Sequence, residues 1–284
     1  MKELILNNGI KIPKLGLGTW FIDDDKVEKA IIEAVKLGYR HIDTAQAYEN
    51  ERGVGKGIKN CGVERKELFI TTKIAAELKD YQSAYDSVIK SLEIMQLDYL
   101  DLVIIHAPQP WNEFRGDKRY FKENLEVWKA LEDLYEKGLV KAIGLSNFLI
   151  DDMENIISNC HIKPMVNQFL VHIRNTPFDV INYCNKNNII VEAYSPIGHG
   201  EILQDEEINK MALKYGVSVS ALCIKYCIEL GTIALPKTAN PIHMKDNMNI
   251  DFELNEEDFK YLQSLDKIEN YGKSEIFPCY KEGK

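Results

Sequence analysis

A closed barrel of eight parallel strands, each followed by helix, is the fold class this sequence predicts, and three observations carry it. Short apolar or β-branched runs recur eight times after an N-terminal hairpin. Helical patterns separate them. No Gly/Ser-rich linker or low-complexity segment interrupts the alternation, so a single domain is expected over residues 1–284. Strands buried on both faces and alternating with helices imply a parallel sheet. An open doubly wound sheet would carry fewer strands and a GxGxxG turn after the first. The run "LGLGTW" has Gly16 and Gly18 but no third glycine, and no helix follows it at once. Eight βα units in ~270 residues suit the (β/α)8 TIM barrel.

The elements follow in order. "ELILNNGIKIPKLG" reads as a hairpin, two alternating runs around the turn signal Asn7-Asn8-Gly9. The eight runs are then "LGLGTW" (15–20), "RHIDTA" (40–45), "LFITTKI" (68–74), "DLVIIHA" (101–107), "KAIGLSNF" (141–148), "MVNQFL" (165–170), "IIVEAYSP" (189–196) and "TIALPK" (232–237). "DDDKVEKAIIEAVKLG" has acidic residues in its first turn, apolar residues at helical spacing and a closing glycine. "YQSAYDSVIKSLEIMQL", "ENLEVWKALEDLYEKG", "DEEINKMALKYG" and "SVSALCIKYCIELG" read the same way, and "NPIHMKDNM" and "EEDFKYLQSLD" add helix near the C-terminus.

Composition narrows the function classes. With 45% hydrophobic and 28% charged residues, the chain has the make-up of a soluble protein with a sizeable core. No apolar run reaches the ~18 residues of a membrane span. The opening "MKELILNNGIKIP" turns polar too early for a secretory signal, so a cytoplasmic location is expected. The net charge of −9 argues against non-specific nucleic-acid binding. The six cysteines form no CxxC pair, and the six histidines form no HxxxH or HExxH pattern. Reduced thiols and no metal are therefore expected. Cys223 and Cys227, four apart, read as core residues on one helical face.

In a barrel of this kind chemistry gathers at the C-terminal ends of the strands. Those ends carry Thr19 and Trp20, Asp43, Lys73, His106, Ser146 and Asn147, Gln168, Tyr194, and Lys237 with Thr238. One polar strand end would be a solvated terminus; all eight facing one mouth make a functional pocket. Asp43, Lys73 and Tyr48 together suggest an acid. A free phenol, with a pKa of ~10, is a poor donor at neutral pH, and an ammonium beside it favours the phenolate. The carboxylate holds the lysine charged. His106 adds a second donor for an oxygen on which negative charge grows. The plainer alternative is a buried Asp–Lys pair that only closes the barrel mouth.

"GYRHIDTAQAYENERGVG", "LDYLDLVIIHAP", "GLVKAIGLSNF" and "PKTANPIHMKDN" together resemble the aldo-keto reductases, and the resemblance runs over essentially the whole chain. It implies a barrel whose bottom is closed by the N-terminal hairpin, and hydride transfer from NADPH to aldehydes and ketones by a metal-free monomer. The family's catalytic tetrad falls on Asp43, Tyr48, Lys73 and His106, with Tyr48 as general acid and His106 orienting the carbonyl. Ser146, Asn147 and Gln168 match the positions that bind the nicotinamide carboxamide, and Tyr194 matches the aromatic residue that stacks on its ring. Thr19 and Asp43 belong to the same expected cofactor lining. "YSPIGHG" resembles the loop over the pyrophosphate, with Ser195 and Ile197 as contacts. Lys237 and Thr238 match the grip on the adenosine 2′-phosphate, and Asp246 and Asn247 match the adenine-binding pair.

Two departures from the pattern matter. The arginine that clamps the 2′-phosphate is replaced by His243, which lacks the planar, permanently charged fork. Weaker NADPH preference, with some use of NADH, is expected. The tryptophan that many relatives carry after the tetrad histidine is Ala107 here. Either the pocket is wider on that side or Trp111 turns in to fill it. Trp20 and the C-terminal "YGKSEIFPCY" are expected to form the other walls, so the expected substrate contacts are Trp20, Tyr48, His106 and Trp111. Two other readings use the same residues: a cofactor-binding sensor with little turnover, and a barrel aldolase using Lys73 as a Schiff base.

Overall fold

The structure, a computed structural model, describes residues 2–281. The chain opens with β1 (Glu3–Ile5) and β2 (Lys11–Pro13), paired antiparallel with Leu4 opposite Ile12. Gly9 takes a φ of 86° in the turn, where its N–H is donated to the Leu6 carbonyl at 2.8 Å.

Eight strands follow in one parallel sheet: β3 (Leu17–Gly18), β4 (His41–Asp43), β5 (Phe69–Ile74), β6 (Leu102–Ile105), β7 (Ile143–Ser146), β8 (Val166–Leu170), β9 (Ile190–Tyr194) and β10 (Ile233–Leu235). Each pairs with its sequence neighbour. Closure comes from isolated bridges, Leu15 to Ala234 and Gly18 to Lys237. The Gly16 N–H is donated to the Ala234 carbonyl at 2.9 Å, and that of Gly18 to Pro236 at 3.0 Å. Glycine is required at 16: a Cβ there would lie 2.7 Å from Leu235 and 2.9 Å from the His41 ring. The hairpin sits across the bottom. Asn7 Nδ2 is donated to the Pro164 carbonyl at 2.9 Å and Asn8 Nδ2 to that of Lys141 at 3.0 Å, both just ahead of strands β8 and β7.

The helices are α1 (Asp24–Leu37), α2 (Glu51–Asn60), α3 (Tyr81–Met95), α4 (Phe121–Glu136), α5 (Ile150–Asn159), α6 (Phe178–Lys186), α7 (Glu206–Tyr215), α8 (Val219–Glu229), α9 (Pro241–Asn247) and α10 (Glu256–Ser264). All the helices expected from periodicity are present. Three more, α2, α5 and α6, were not legible. In α2 the reason is packing: Gly53 and Gly55 break the apolar period because neighbouring helices leave no room. A Cβ at Gly53 would lie 2.1 Å from the Asp24 carbonyl oxygen, and one at Gly55 would lie 2.3 Å from that of Met95. Cys223 and Cys227 are fully buried on α8, as core residues. Among the described residues no single helix is long and apolar enough to cross a membrane.

Candidate active site

Side chains alternate along a strand, so residues two apart share a face. His41 and Asp43 on β4 therefore point the same way, as do Thr71 and Lys73 on β5, and the register sets Asp43 beside Thr71. Lys73 reaches back one step toward β4. Its Nζ lies 2.6 Å from Asp43 Oδ2, 2.8 Å from the Thr44 carbonyl oxygen and 3.3 Å from the Tyr48 hydroxyl. Lys73 is fully buried, so the pair is shielded from water.

Tyr48 comes from the short 3-10 turn Gln46–Tyr48 behind β4. The Gln46 side chain pins that turn. Its Oε1 accepts the Ala75 N–H at 3.0 Å, and its Nε2 is donated to Ser87 Oγ and Ser91 Oγ, each at 3.1 Å. His106 follows β6 directly, and its ring meets that of Tyr48 edge-on with centroids 5.7 Å apart. Asp43, Tyr48 and His106 line one cavity, and Lys73 lies buried behind them, bonded to Asp43 and Tyr48.

Burial and charge then set the proton inventory. Burial alone would drive the Lys73 ammonium to release its proton, but Asp43 and Tyr48 outweigh it and raise its pKa. Burial, with help from Lys73, holds His106 well below the ordinary imidazole range, so the ring is neutral. Its Nδ1 is buried without a hydrogen-bond partner among the described residues. The Tyr48 phenol departs from the sequence-based expectation. Lys73 does pull its pKa down, but burial wins and pushes it up to about 12. Charge proximity was legible from the motif; the loss of solvent around the phenol was not.

The cavity has a volume of about 360 Å³. Tyr48, His106, Asn147, Gln168, Tyr194 and Lys237 supply its polar and aromatic lining. Ser146 and Ser195 also reach it. Asn147 adopts a left-handed backbone, φ 62°, and its Nδ2 is donated to the His106 carbonyl at 3.1 Å. Its Oδ1 accepts the Tyr194 hydroxyl at 2.9 Å. The Gln168 Nε2 is held by Asp43 Oδ1 at 2.9 Å and Glu192 Oε2 at 2.8 Å.

Trp111 does turn in behind Ala107. Its ring stands edge-on to His106, centroids 5.1 Å apart, and lines the cavity. Trp20 packs between Tyr48 and Phe277, and Phe277, Pro278 and Cys279 of the C-terminal segment complete that wall, as expected. The segment Gly198–Gln204 lies over the same edge, with the His199 ring 5.5 Å from Trp20 and its Nδ1 2.8 Å from Ser274 Oγ.

Other expected residues sit elsewhere. Thr19 is fully buried below the cavity, its hydroxyl donated to the Asp43 carbonyl at 3.1 Å, because that bond stitches β3 to β4. Ile197 is partly buried against the core. Thr238 accepts the Asn240 N–H at 3.0 Å, while His243 is exposed on α9 and Asp246 accepts from Ser218. Asn247 is buried beside Tyr39. Sequence reasoning missed Glu192, a fully buried acid at the inner end of the same polar row. The signal was present: Glu192 stands two residues before Tyr194 and shares its inward face.

The family model described as the aldo/keto reductase family matches residues 14–267. A glyoxal reductase of Bacillus subtilis is 39% identical over 269 residues, covering 94% of each chain. The crystal structure of an aldo/keto reductase from Brucella melitensis superposes with a TM-score of 0.87 at 37% identity, covering 93% of this chain and 99% of that one. The Bombyx mori aldo-keto reductase, solved in complex with NADP, gives 0.86 at 31% identity, covering 99% and 97%. On this family match and these relatives, the chain belongs to the aldo/keto reductase family.

Proposed function

We propose that the protein reduces small aldehydes and ketones to alcohols with NADPH, Tyr48 giving the proton. The observation that carries this reading is the hydrogen-bonded chain Asp43–Lys73–Tyr48 ending in a cavity that also holds the neutral His106 ring. Similarity to a glyoxal reductase supports a small carbonyl substrate.

The residues fit a reduced nicotinamide dinucleotide. Gln168 Oε1 accepts no hydrogen bond from the described residues while its amide nitrogen is doubly held, which leaves a fixed acceptor for a carboxamide. Ser146 and Asn147 stand next to it, and the Tyr194 ring offers a flat face. The Lys237 ammonium, without an ion-pair partner among the described residues, lines the way out past Ser195. There it suits a phosphate. Thr238, His243, Asp246 and Asn247, which follow Lys237 in the chain, would by the family resemblance serve the 2′-phosphate and adenine. The bound cofactor supplies the hydride.

The protein's own residues do the rest. His106 and Tyr48 donate to the carbonyl oxygen and draw it into place. As hydride reaches the carbon, the oxygen becomes an alkoxide, a far stronger base than a phenolate. A phenol with a pKa near 12 is therefore still a competent donor to it, and keeps its proton until that moment. The phenolate left behind stands 3.3 Å from the Lys73 ammonium, which stabilises it. Asp43 keeps that ammonium charged and pointed. Stopped-flow absorbance of NADPH oxidation with a generic aldehyde, native protein against Tyr48→Phe, tests the assignment. Turnover that collapses with cofactor binding intact supports it; a variant as fast as the native protein sinks it.

A further inference from the structure

A second cavity, about 410 Å³, adjoins the first and shares Asn147, Tyr194, Pro278 and Cys279 with it. Among the described residues its wall carries three cations, Arg115, Lys267 and Lys281, against one acid, Glu269. Arg115 is the unusual member. Every other arginine in the chain has a partner: Arg40 donates to main-chain carbonyls, Arg52 pairs with Asp24, Arg65 with Asp101, Arg119 with Asp151 and Asp152, and Arg174 with Asp205 and Glu207. The Arg115 guanidinium has neither an ion pair nor a hydrogen bond among the described residues. The nearby Asp151 and Asp152 are already held by Arg119.

The position is built rather than loose. Arg115 has a left-handed backbone, φ 62°, and its N–H is donated to Gln109 Oε1 at 2.8 Å. Gln109, 3% exposed, ties the same loop through Nε2 to the Gly116 and Lys118 carbonyls, each at 2.9 Å. The guanidinium lies 4.5 Å from the centre of the Phe114 ring, and partial burial weakens its hold on its proton. Phe114 touches Trp111, with centroids 5.2 Å apart, and Trp111 touches His106. One continuous aromatic wall thus runs from the His106 imidazole to a cation that has no partner among the described residues. A guanidinium presents a planar fork that matches a carboxylate with two parallel hydrogen bonds, and partial desolvation strengthens them. Fixing the fork in advance lowers the entropic cost of using it.

We propose that the basic chamber around Arg115 binds the carboxylate of a carbonyl substrate whose reacting carbon sits at Tyr48 and His106. The natural substrate class is then an aldehyde or ketone acid with its carboxylate several bonds from the carbonyl. The proposal rests on the carbonyl-reduction reading, and its test separates the two.

The probes are 4-carboxybenzaldehyde and its neutral methyl ester, each reduced by the full chain with NADPH, with every ratio divided by that for borohydride reduction of the same pair, because the ester activates its aldehyde more than the carboxylate does. Calorimetry with 4-(hydroxymethyl)benzoate and its methyl ester on the NADP-loaded protein reads binding without turnover. The native protein should favour the acid over the ester on the order of tenfold in kcat/KM, mainly through KM, and in affinity, as a charge-assisted pair implies. In Arg115→Gln both ratios should fall to near one, and in Arg115→Lys they should lie between. Native ratios at or below one overturn the proposal. So do ratios that persist in Arg115→Gln, or free acetate that changes ester turnover without competing with the acid, which would mark an effector site. If neither aldehyde turns over but the calorimetric preference is present and Arg115-dependent, the anion site stands and the reaction assignment falls.

Discussion

Gln168 gives one amide nitrogen to two acids, Glu192 at 2.8 Å and Asp43 at 2.9 Å, deep inside the barrel. Asp43 has the Lys73 ammonium as counter-charge, while Glu192 has none within hydrogen-bond distance among the described residues. Its second oxygen has no hydrogen-bond partner among the described residues and lies 3.7 Å from a His41 ring that burial keeps neutral. Burial, then the Asp43 carboxylate, push the Glu192 pKa far above the ordinary carboxylate range. Glu192 is the neutral partner of the two.

That assignment has a sign that melting curves can read. In the unfolded chain Glu192 ionises at about 4.3, while in the fold it holds its proton. Above that pH the folded state binds the extra proton, so stability falls as pH rises, by at most about 1.4 kcal/mol per unit, until Glu192 ionises in the fold as well. Below it the loss is absent. Glu192→Gln should flatten the stability profile between about pH 5 and pH 8 and raise Tm most at the alkaline end. Equal slopes for native protein and variant would mean that Glu192 is ionised in the fold.

The Lys73–Asp43 pair should be worth more broken than absent. Lys73→Met strands a buried carboxylate and should cost about 3–5 kcal/mol in denaturant unfolding. Adding Asp43→Asn removes the stranded charge, so the double variant should recover part of that loss. Additive single and double effects would show the two charges to be independent.

The pH profile of turnover follows from the groups that hold protons. With Tyr48 near 12 and His106 neutral throughout, kcat/KM for carbonyl reduction should be flat from about pH 6 to pH 9. In Tyr48→Phe it should drop by about a hundredfold or more at every pH. A limb in the native profile within that window would place another titrating group in the mechanism.

His243 stands exposed on α9, where its ring bonds to none of the described residues. His243→Arg should raise the preference for NADPH over NADH by about tenfold, the usual size of one charge-assisted hydrogen bond. Cofactor titration by fluorescence quenching reads the ratio directly. An unchanged ratio would remove α9 from 2′-phosphate recognition.

Much of this architecture is legible in the sequence. Short apolar runs ending in polar residues predicted both the barrel and the rim from which Asp43, Lys73 and His106 reach inward, because strand periodicity is local. What stayed hidden depends on neighbours far away in the chain. The glycines of α2 look like helix breakers until Met95 and Asp24 are seen to touch them. Glu192 looks like a solvated acid in "VEAY" until its closed sheet is built around it. Arg115 gives no signal at all in "NEFRGDK", since a charge without a partner among the described residues is known only from the groups folded around it.

The seam between the first and last barrel strands has a consequence for synthesis. β3 emerges from the ribosome more than two hundred residues before the carbonyl of Ala234 that receives the Gly16 N–H. The hairpin likewise waits for Lys141 and Pro164. Until β10 arrives the nascent sheet has two unpaired edges, each a template for another chain. A chain halted before residue 232 would therefore keep both edges of the sheet open to pairing with another chain.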